Sequence, residues 1–510
     1  MPVIYDSAPL KERVKENLAK DFQHEAIKHA QDHIGGNRDR MSAAVPEWQD
    51  MRSNAAGIRD HVIRNLDYYV AQFARNAEAR GCEMHFARTD VDACAIVQDI
   101  MDATGETEVV KAKSLLTEEV GVNESLEAHG MRAIETDCAE TVLQDAKSAP
   151  SHIVVPALHF DRTTIRDLFR ETRGYTGTDD PQEITRFLRQ DLRPVFLSAK
   201  VGMTGCNFGV ASTGTMTLVT NEGNGRMVSS FPETLIVMVG IERIVPDLAS
   251  LDVMTQLLVT SAVGSKLTSS FTLNSGPAGA GEGDGPRHVH VIMVDNGRSK
   301  IAASGYRQAL RCIHCGACMN TCPVYRHITG HGYGSIYPGP IGVVMTPLLE
   351  GYDKTEKLPN ACTLCGACAD VCPVRIPLNS LILEHRNDMV EEGHVGGLEK
   401  LAFNTASRFL GSRSMYGLLT SMGRIGTKAL SGKNGRMGAK TAWIPVMKGW
   451  TESRDLDSMQ KTFRSQFEGH VPQASDVHAP EEAAAEERAR EAEQVARSVG
   501  DNGAEGGDAR

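Results

Sequence analysis

The sequence predicts a chain of N-terminal helices, a central α/β domain and a cysteine-rich metal-binding domain. Three observations carry that expectation. The first hundred residues hold charged, amphipathic runs at helical spacing. From about residue 107 to 300, short apolar runs alternate with helical segments. Eight of the twelve cysteines then fall in two short runs that start at Cys312 and Cys362.

The chain has 510 residues, which at roughly 150 per domain suggests about three folded units. The expected organisation is a helical region over 1–100, an α/β domain over 101–300, a two-run cysteine domain over 301–395, a basic segment over 396–472 and a disordered acidic tail over 473–510. In the first region LKERVKENLAKDFQHEAIKHAQDHI and MRSNAAGIRDHVIRNLDYYVAQFARNAEARG read as helices, the second stopping at Gly81, and VDACAIVQDIMDATG repeats the pattern. In the second region MRAIET, SHIVVPAL, GTMTLVT, TLIVMVG and HVHVIMV read as strands, while NESLEAHG, ETVLQDA and TTIRDLFRET read as helices. Such alternation suggests a largely parallel sheet. SGPAGAGEGDGPRH (275–288) reads as a Gly/Pro loop, and HGYGSIYPGPIG (331–342) as a turn-rich connection between the cysteine runs. No G-x-G-x-x-G lies between a strand and a helix, so no flavin or nicotinamide fingerprint is present.

The net charge of -11 argues against a general nucleic-acid role. No run approaches the ~20 apolar residues of a membrane span. The most apolar stretch, LIVMVGIERIV (235–245), contains Glu242 and Arg243. The N-terminus has no apolar core of a secretory signal, so a cytoplasmic location is expected, with peripheral membrane contact left open. Residues 400–450 contain nine Lys or Arg and no Asp or Glu. That segment suits an acidic partner or an anionic membrane surface, or is simply a solvated helical face.

Clustered cysteines in such a chain point to metal rather than disulfides. Cys82, Cys94, Cys138 and Cys206 are scattered singly and read as small buried residues. Each run is C-x2-C-x2-C-x3-C-P: Cys312, Cys315, Cys318, Cys322 and Pro323, then Cys362, Cys365, Cys368, Cys372 and Pro373. This is the spacing of two-cluster ferredoxins, in which the fourth cysteine of one run ligates the other cluster. The expected sets are Cys312, Cys315, Cys318 and Cys372 for one [4Fe-4S] cluster, and Cys362, Cys365, Cys368 and Cys322 for the second. Gly316 and Gly366 sit inside the triplets, where a positive φ is expected. Structural zinc takes paired C-x2-C knuckles across a longer gap, and neither run divides that way. His314, inside the first triplet, either hydrogen-bonds near the cluster or only packs. Every iron of both cubanes has a thiolate available, which favours electron transfer over chemistry on a cluster.

The α/β region carries a series of polar stretches: KSLLTEE (113–119), TDCAETVLQ (136–144), SHIVVPALH (151–159), GMTGCNFGVASTGTMTLVTNEGNGR (202–226), GIERIVPD (240–247) and VDNGRS (294–299). NEGNGR follows a strand; Glu222 and Asn224 either face a ligand or merely shape a turn there. Arg298 holds either an anion or a neighbouring carboxylate. In this order the stretches resemble the lactate-utilization domain family. The resemblance implies a ribose-5-phosphate isomerase/CoA-transferase-like sheet followed by an α-helical two-[4Fe-4S] ferredoxin domain. WIPVMKGWTESRD (443–455) resembles the C-terminal segment of the same larger proteins.

That resemblance implies an iron-sulfur electron-transfer subunit, itself non-catalytic, in oxidation of L-lactate to pyruvate. Its implied partners are a second lactate-utilization-domain protein and a cysteine-rich protein of the heterodisulfide-reductase type. It assigns no catalytic residue. Two other classes stay open: a self-contained oxidoreductase acting on a small 2-hydroxy acid or CoA-linked acid, and a ligand-binding regulator.

Overall fold

A computed structural model describes residues 3–459 except 269, 356, 442, 445–450 and 452–454. The chain divides into two compact units, one running to Val395 and one starting at Gly396. In the first unit four helices open the chain: α1 (Leu10–Leu18), α2 (Asp21–Ala43), α3 (Trp48–Arg64) and α4 (Leu66–Glu78). The long helix expected to end at Gly81 is broken at Asn65, whose φ of -128° and ψ of 40° separate α3 from α4. A further helix, α5 (Asp90–Thr104), is fixed at its start by a capping box in which Thr89 and Asp92 exchange side-chain and backbone hydrogen bonds.

The strands in chain order are β1 (Glu83–Ala87), β2 (Glu108–Lys111), β3 (Arg132–Glu135), β4 (Val201–Gly205), β5 (Phe208–Val210), β6 (Thr215–Thr220), β7 (Thr234–Gly240), β8 (Ile244–Val245), β9 (Ser270–Asn274) and β10 (His288–Val294). Six form one sheet in the order β1-β10-β7-β4-β2-β3, and every pair in it is parallel. The central strand β7 is buried along its whole length, as a parallel sheet covered on both faces requires. Leu235, Val237 and Val239 pack with Val62, Phe73 and Ala77 on one face. Ile236 and Met238 pack with Ala93, Val97 and Met101 on the other. The period of two along β7 thus divides the core between α3 and α4 on one side and α5 on the other. A second, four-stranded sheet runs β8-β5-β6-β9.

Three expectations need correction. EMHFA, inside the stretch read as helical, is the edge strand β1, so the sheet begins well before residue 101. SHIVVPAL is a tight loop, not a strand. Its polar groups are used locally: His152 Nδ1 accepts from the N–H groups of Val154 (3.0 Å) and Val155 (3.1 Å), and Ser151 N–H donates to the Pro156 carbonyl at 2.9 Å. Pro156 has no N–H for a ladder. HGYGSIYPGPIG is only half a connection, because from Gly339 it opens the helix Gly339–Glu350, whose first nine residues are all buried.

The Ser151 loop is joined to the cysteine domain. The Tyr325 hydroxyl donates to the Ser151 carbonyl at 2.7 Å, and a Cβ at Gly330 would lie 1.8 Å from the same oxygen. Gly330→Ala must therefore push the loop away, and a loss of about 3 kcal/mol in denaturant unfolding is expected. An unchanged midpoint would show that this contact does not hold the domains together.

In the second unit, helices Gly397–Gly411 and Arg413–Leu430 carry the basic residues Arg408, Arg413, Arg424 and Lys428, followed by a short ribbon of Arg436–Met437 with Leu456–Asp457. The tail expected over 473–510 lies outside the described residues. Among the described residues no helix is long and apolar enough to cross a membrane.

Candidate metal centre and adjoining cavity

The two cysteine runs fold alike. His314 (φ 56°) and Gly316 (φ 76°) in the first run match Leu364 (φ 55°) and Gly366 (φ 86°) in the second. This left-handed backbone curls each triplet and turns N–H groups toward sulfur. The N–H of His314 lies 3.4 Å from Cys312 Sγ, and that of Leu364 lies 3.3 Å from Cys362 Sγ. The last cysteines receive the same treatment, from Tyr325 N–H to Cys322 Sγ (3.5 Å) and Ile376 N–H to Cys372 Sγ (3.4 Å). Pro323 then starts the helix Pro323–Ile328, where its missing N–H costs nothing.

The sulfurs group across the runs. One small cavity is lined by Cys312, Cys315, Cys318 and Cys372. Cys322 instead neighbours the second triplet: burial first, then the charges of Cys322, Cys362 and Cys365, pushes the Cys368 thiol up to about 12. Burial likewise pushes Cys312 up to about 11. Unliganded, these groups are thiols, so a metal that binds them must displace protons.

Around a tetrahedral zinc, ligand sulfurs at about 2.3 Å from the ion would stand about 3.8 Å apart. Among the described residues no three cysteine sulfurs lie within 4.8 Å of one another. The quartets are too open for a single ion and suit a larger group with one corner per thiolate. A second observation agrees. Arg59 is fully buried and makes no ion pair among the described residues. Its guanidinium donates only to the carbonyls of Leu310 (2.7 Å) and Ile244 (3.2 Å), and burial lowers it to about 10. An anionic iron–sulfur cluster on the neighbouring Cys312 set would compensate that charge.

The N-terminal helices hold the cysteine loops by their carbonyls. Gln31 donates to Met319 (2.7 Å) and Cys322 (3.1 Å), Arg38 to Val371 (3.1 Å), and Arg52 to Cys372 (2.8 Å). Arg386 does the same for Cys362 at 2.6 Å. Sequence reasoning missed this cradle. The available signal was Arg52 and Arg59, seven residues apart and on the same helix face as Ala55, Ala56, Val62 and Ile63.

A cavity of 490 Å³ opens at the C-terminal ends of the parallel strands. Its walls include Lys113 and Ser114 after β2, Asp137 after β3, Cys206 and Asn207 after β4, Glu242 and Arg243 after β7, and Arg298 after β10. The chain turns from β2 toward β3 on one side, and from β4 toward β7 on the other. That makes the β2/β4 boundary the switch point at which open α/β sheets bind ligands. Every polar stretch singled out in the sequence contributes to this wall, including Val154 of the Ser151 loop and Glu222 and Asn224 of NEGNGR.

The charges there are unequal in their freedom. Arg298 is committed to carboxylates, with Glu119 at 2.7 and 2.8 Å and Glu242 at 2.7 Å. Lys113 makes no ion pair among the described residues; its ammonium donates to the Val154 carbonyl at 2.8 Å. Glu222 is raised by burial and by Asp137 beside it. Asn224 is buried, donates to Thr136 at 3.3 Å and leaves its Oδ1 unpartnered. NEGNGR is thus a strand-end turn that leads into the helix Asn224–Ser230 and also faces the cavity.

Cavity and cysteine loop share a wall. Ile313 and His314 line both the large cavity and the small one bounded by the first cysteine set. Arg243 donates to the Cys312 carbonyl at 2.9 Å and to His314 Nδ1, and pairs with Glu242 at 3.2 Å. His314 is therefore neither a surface residue nor a direct sulfur ligand by its ring. Its ring is tied to Arg243, and its backbone N–H faces Cys312.

Residues 70–294 match the LUD domain family and residues 308–376 match the 4Fe-4S dicluster domain family. Fold and site together define an iron–sulfur protein in which a LUD domain is joined to a dicluster ferredoxin-type domain. The chain is 46% identical over 475 residues to the uncharacterized electron transport protein YkgF of Escherichia coli K12, covering 93% of this chain and 99% of that one. It is 44% identical over 461 residues to lactate utilization protein B of Bacillus cytotoxicus and of Bacillus anthracis, covering 90% of this chain and 96% of each relative. The chain belongs to the family of lactate utilization protein B.

Proposed function

We propose that this chain is the iron-sulfur electron-transfer subunit of a system that oxidises L-lactate to pyruvate. Cys312, Cys315, Cys318 and Cys372 hold one [4Fe-4S] cluster, and Cys362, Cys365, Cys368 and Cys322 hold the second. When bound, the clusters supply one-electron storage and transfer. The residues around them supply hydrogen bonds to sulfur and positive charge that stabilise the reduced state. The observation that carries the proposal is the pair of open cysteine quartets beside the uncompensated Arg59. The relay has a direction in this reading. The first set adjoins the cavity, while Cys365 of the second set is the exposed cysteine of the eight and faces a redox partner. The partners are a second LUD-domain protein and a cysteine-rich protein of the heterodisulfide-reductase type.

The full chain, prepared anaerobically, is expected to contain about eight irons. With L-lactate and an artificial acceptor it is expected to turn over only when the partner proteins are added. Turnover by the chain alone would overturn the relay proposal. It would favour a second reading that the cavity supports, in which Lys113 binds the carboxylate of a small 2-hydroxy acid and electrons pass to the adjacent cluster.

Arg243 gives a sharper readout. Its positive charge beside Cys312 favours the extra electron of a reduced cluster. Arg243→Met is expected to lower one of two midpoint potentials by on the order of tens of millivolts. EPR-monitored potentiometry resolves this. Equal shifts in both clusters, or none, would contradict the placement of Arg243 at the first cluster.

A further inference from the structure

At the other end of the strands from the cavity lies a group of donors that electron transfer does not use. Glu83 and His85 are two residues apart on β1, so they share a face of the sheet. Glu83 pairs in register with His290 of β10. The result is that His85 Nε2 lies 3.1 Å from His290 Nδ1, and Glu83 Oε2 lies 3.6 Å from the same nitrogen. All three donor atoms fall within 4.8 Å of one another.

We propose that Glu83, His85 and His290 form a binding site for a divalent transition-metal ion of the zinc class. Two imidazoles and a carboxylate are the donors that such ions take, and magnesium or calcium would require oxygen ligands instead. The spacing fits. Ligands about 2.1 Å from a tetrahedral ion stand about 3.4 Å apart, between the two distances found here. The backbone positions are fixed before any ion arrives, because β10 is paired on one side with β1 and on the other with β7. Burial lowers both His85 and His290 against the opposing pull of the Glu83 carboxylate, which favours the neutral imidazole that ligates a metal.

The fourth position is open to water or to His288. The exposed His288 ring has its Nδ1 3.9 Å from Glu83 Oε1. The exposed Glu83 leaves the site reachable from solvent. Nothing in this site depends on the proposed role of the clusters.

The test uses the untagged full chain with its clusters loaded, titrated anaerobically with zinc by calorimetry, with iron content and cluster EPR recorded before and after. One zinc per chain is expected, with a dissociation constant of about 10 μM or tighter and unchanged cluster signals. His85→Ala and His290→Ala are each expected to weaken binding by about a hundredfold, and Glu83→Gln by about tenfold. Glu83→Gln keeps the shape of an exposed side chain, so it separates ligand loss from misfolding. The proposal is overturned by no saturable binding below about 100 μM. It is equally overturned by variants that retain wild-type affinity, or by zinc uptake that proceeds in step with cluster loss.

Discussion

A chain carrying Cys312→Ala together with Cys372→Ala is expected to keep about four irons, and one carrying Cys312→Ala together with Cys322→Ala close to none. In the proposed assignment the first pair removes two corners of the same cluster, and the second removes one corner from each, although both residues belong to a single run of sequence. If each run served its own cluster, the two outcomes would be exchanged. The grouping of Cys372 with Cys312, Cys315 and Cys318 around one cavity, and of Cys322 with Cys362 and Cys368, sets the expected direction. Iron and sulfide analysis reads the count. EPR adds a second readout, because loss of one neighbouring paramagnet simplifies the reduced spectrum of the other.

Glu119→Ala is expected to cost about 3–5 kcal/mol in denaturant unfolding, among the largest effects of any single change outside the cysteines. Glu119 is fully buried at its side chain, and Arg298 opposite it is 3% exposed. Glu119 also accepts from Asn296 at 2.8 Å and from the Tyr337 hydroxyl, so it ties the α/β domain to the cysteine domain. Removing it leaves a guanidinium buried with only Glu242. The double change Glu119→Ala with Arg298→Met removes the stranded charge too and is expected to cost less than Glu119→Ala alone. A double variant that is the weaker of the two would show that packing, not charge, dominates.

The same pair has a pH signature. Burial works to raise Glu119, but the Arg298 guanidinium outweighs it and holds the carboxyl below the usual range. A depressed folded value contributes stability that is present above the ordinary carboxylate range and lost as pH falls through the folded value. Glu119→Ala should therefore flatten the acid limb of the stability profile. An unchanged acid limb would count against that pairing.

Much of the site was legible because its residues have few alternative uses. Eight cysteines at fixed spacing with Gly316 and Gly366 between them permit few structures. The parallel sheet was legible from TLIVMVG, buried along its whole length, and from HVHVIMV, buried over its last four residues, which read as apolar runs. Shorter elements were not. EVVK and VGMTG are four and five residues long, and the sheet around them, not their composition, makes them strands. SHIVVPAL has strand-like composition, yet a single histidine ring that accepts two N–H groups turns it into a loop. The polar stretches were recognised one by one, but their convergence on one cavity depends on strand order, which no local pattern encodes. The arginine cradle was hidden for a related reason. A charged residue on a helix reads as solvated until the carbonyl it serves is brought to it from far along the chain.

That distance has a consequence for biogenesis. Arg52 and Cys372 are separated by 320 positions, and Gln31 and Cys322 by 291. At about 5–20 residues per second of synthesis, the N-terminal helices emerge roughly a quarter of a minute or more before the loops they grip. During that interval Arg52, Arg59 and Gln31 lack their acceptors, and the apolar face around them lacks its cover. Contacts of such long range also slow folding. The cysteine loops therefore gain these hydrogen bonds only once most of the chain has been made. Truncation of those helices should release the cysteine loops and, in the same step, uncover the face of the sheet that Val62, Phe73 and Ala77 cover.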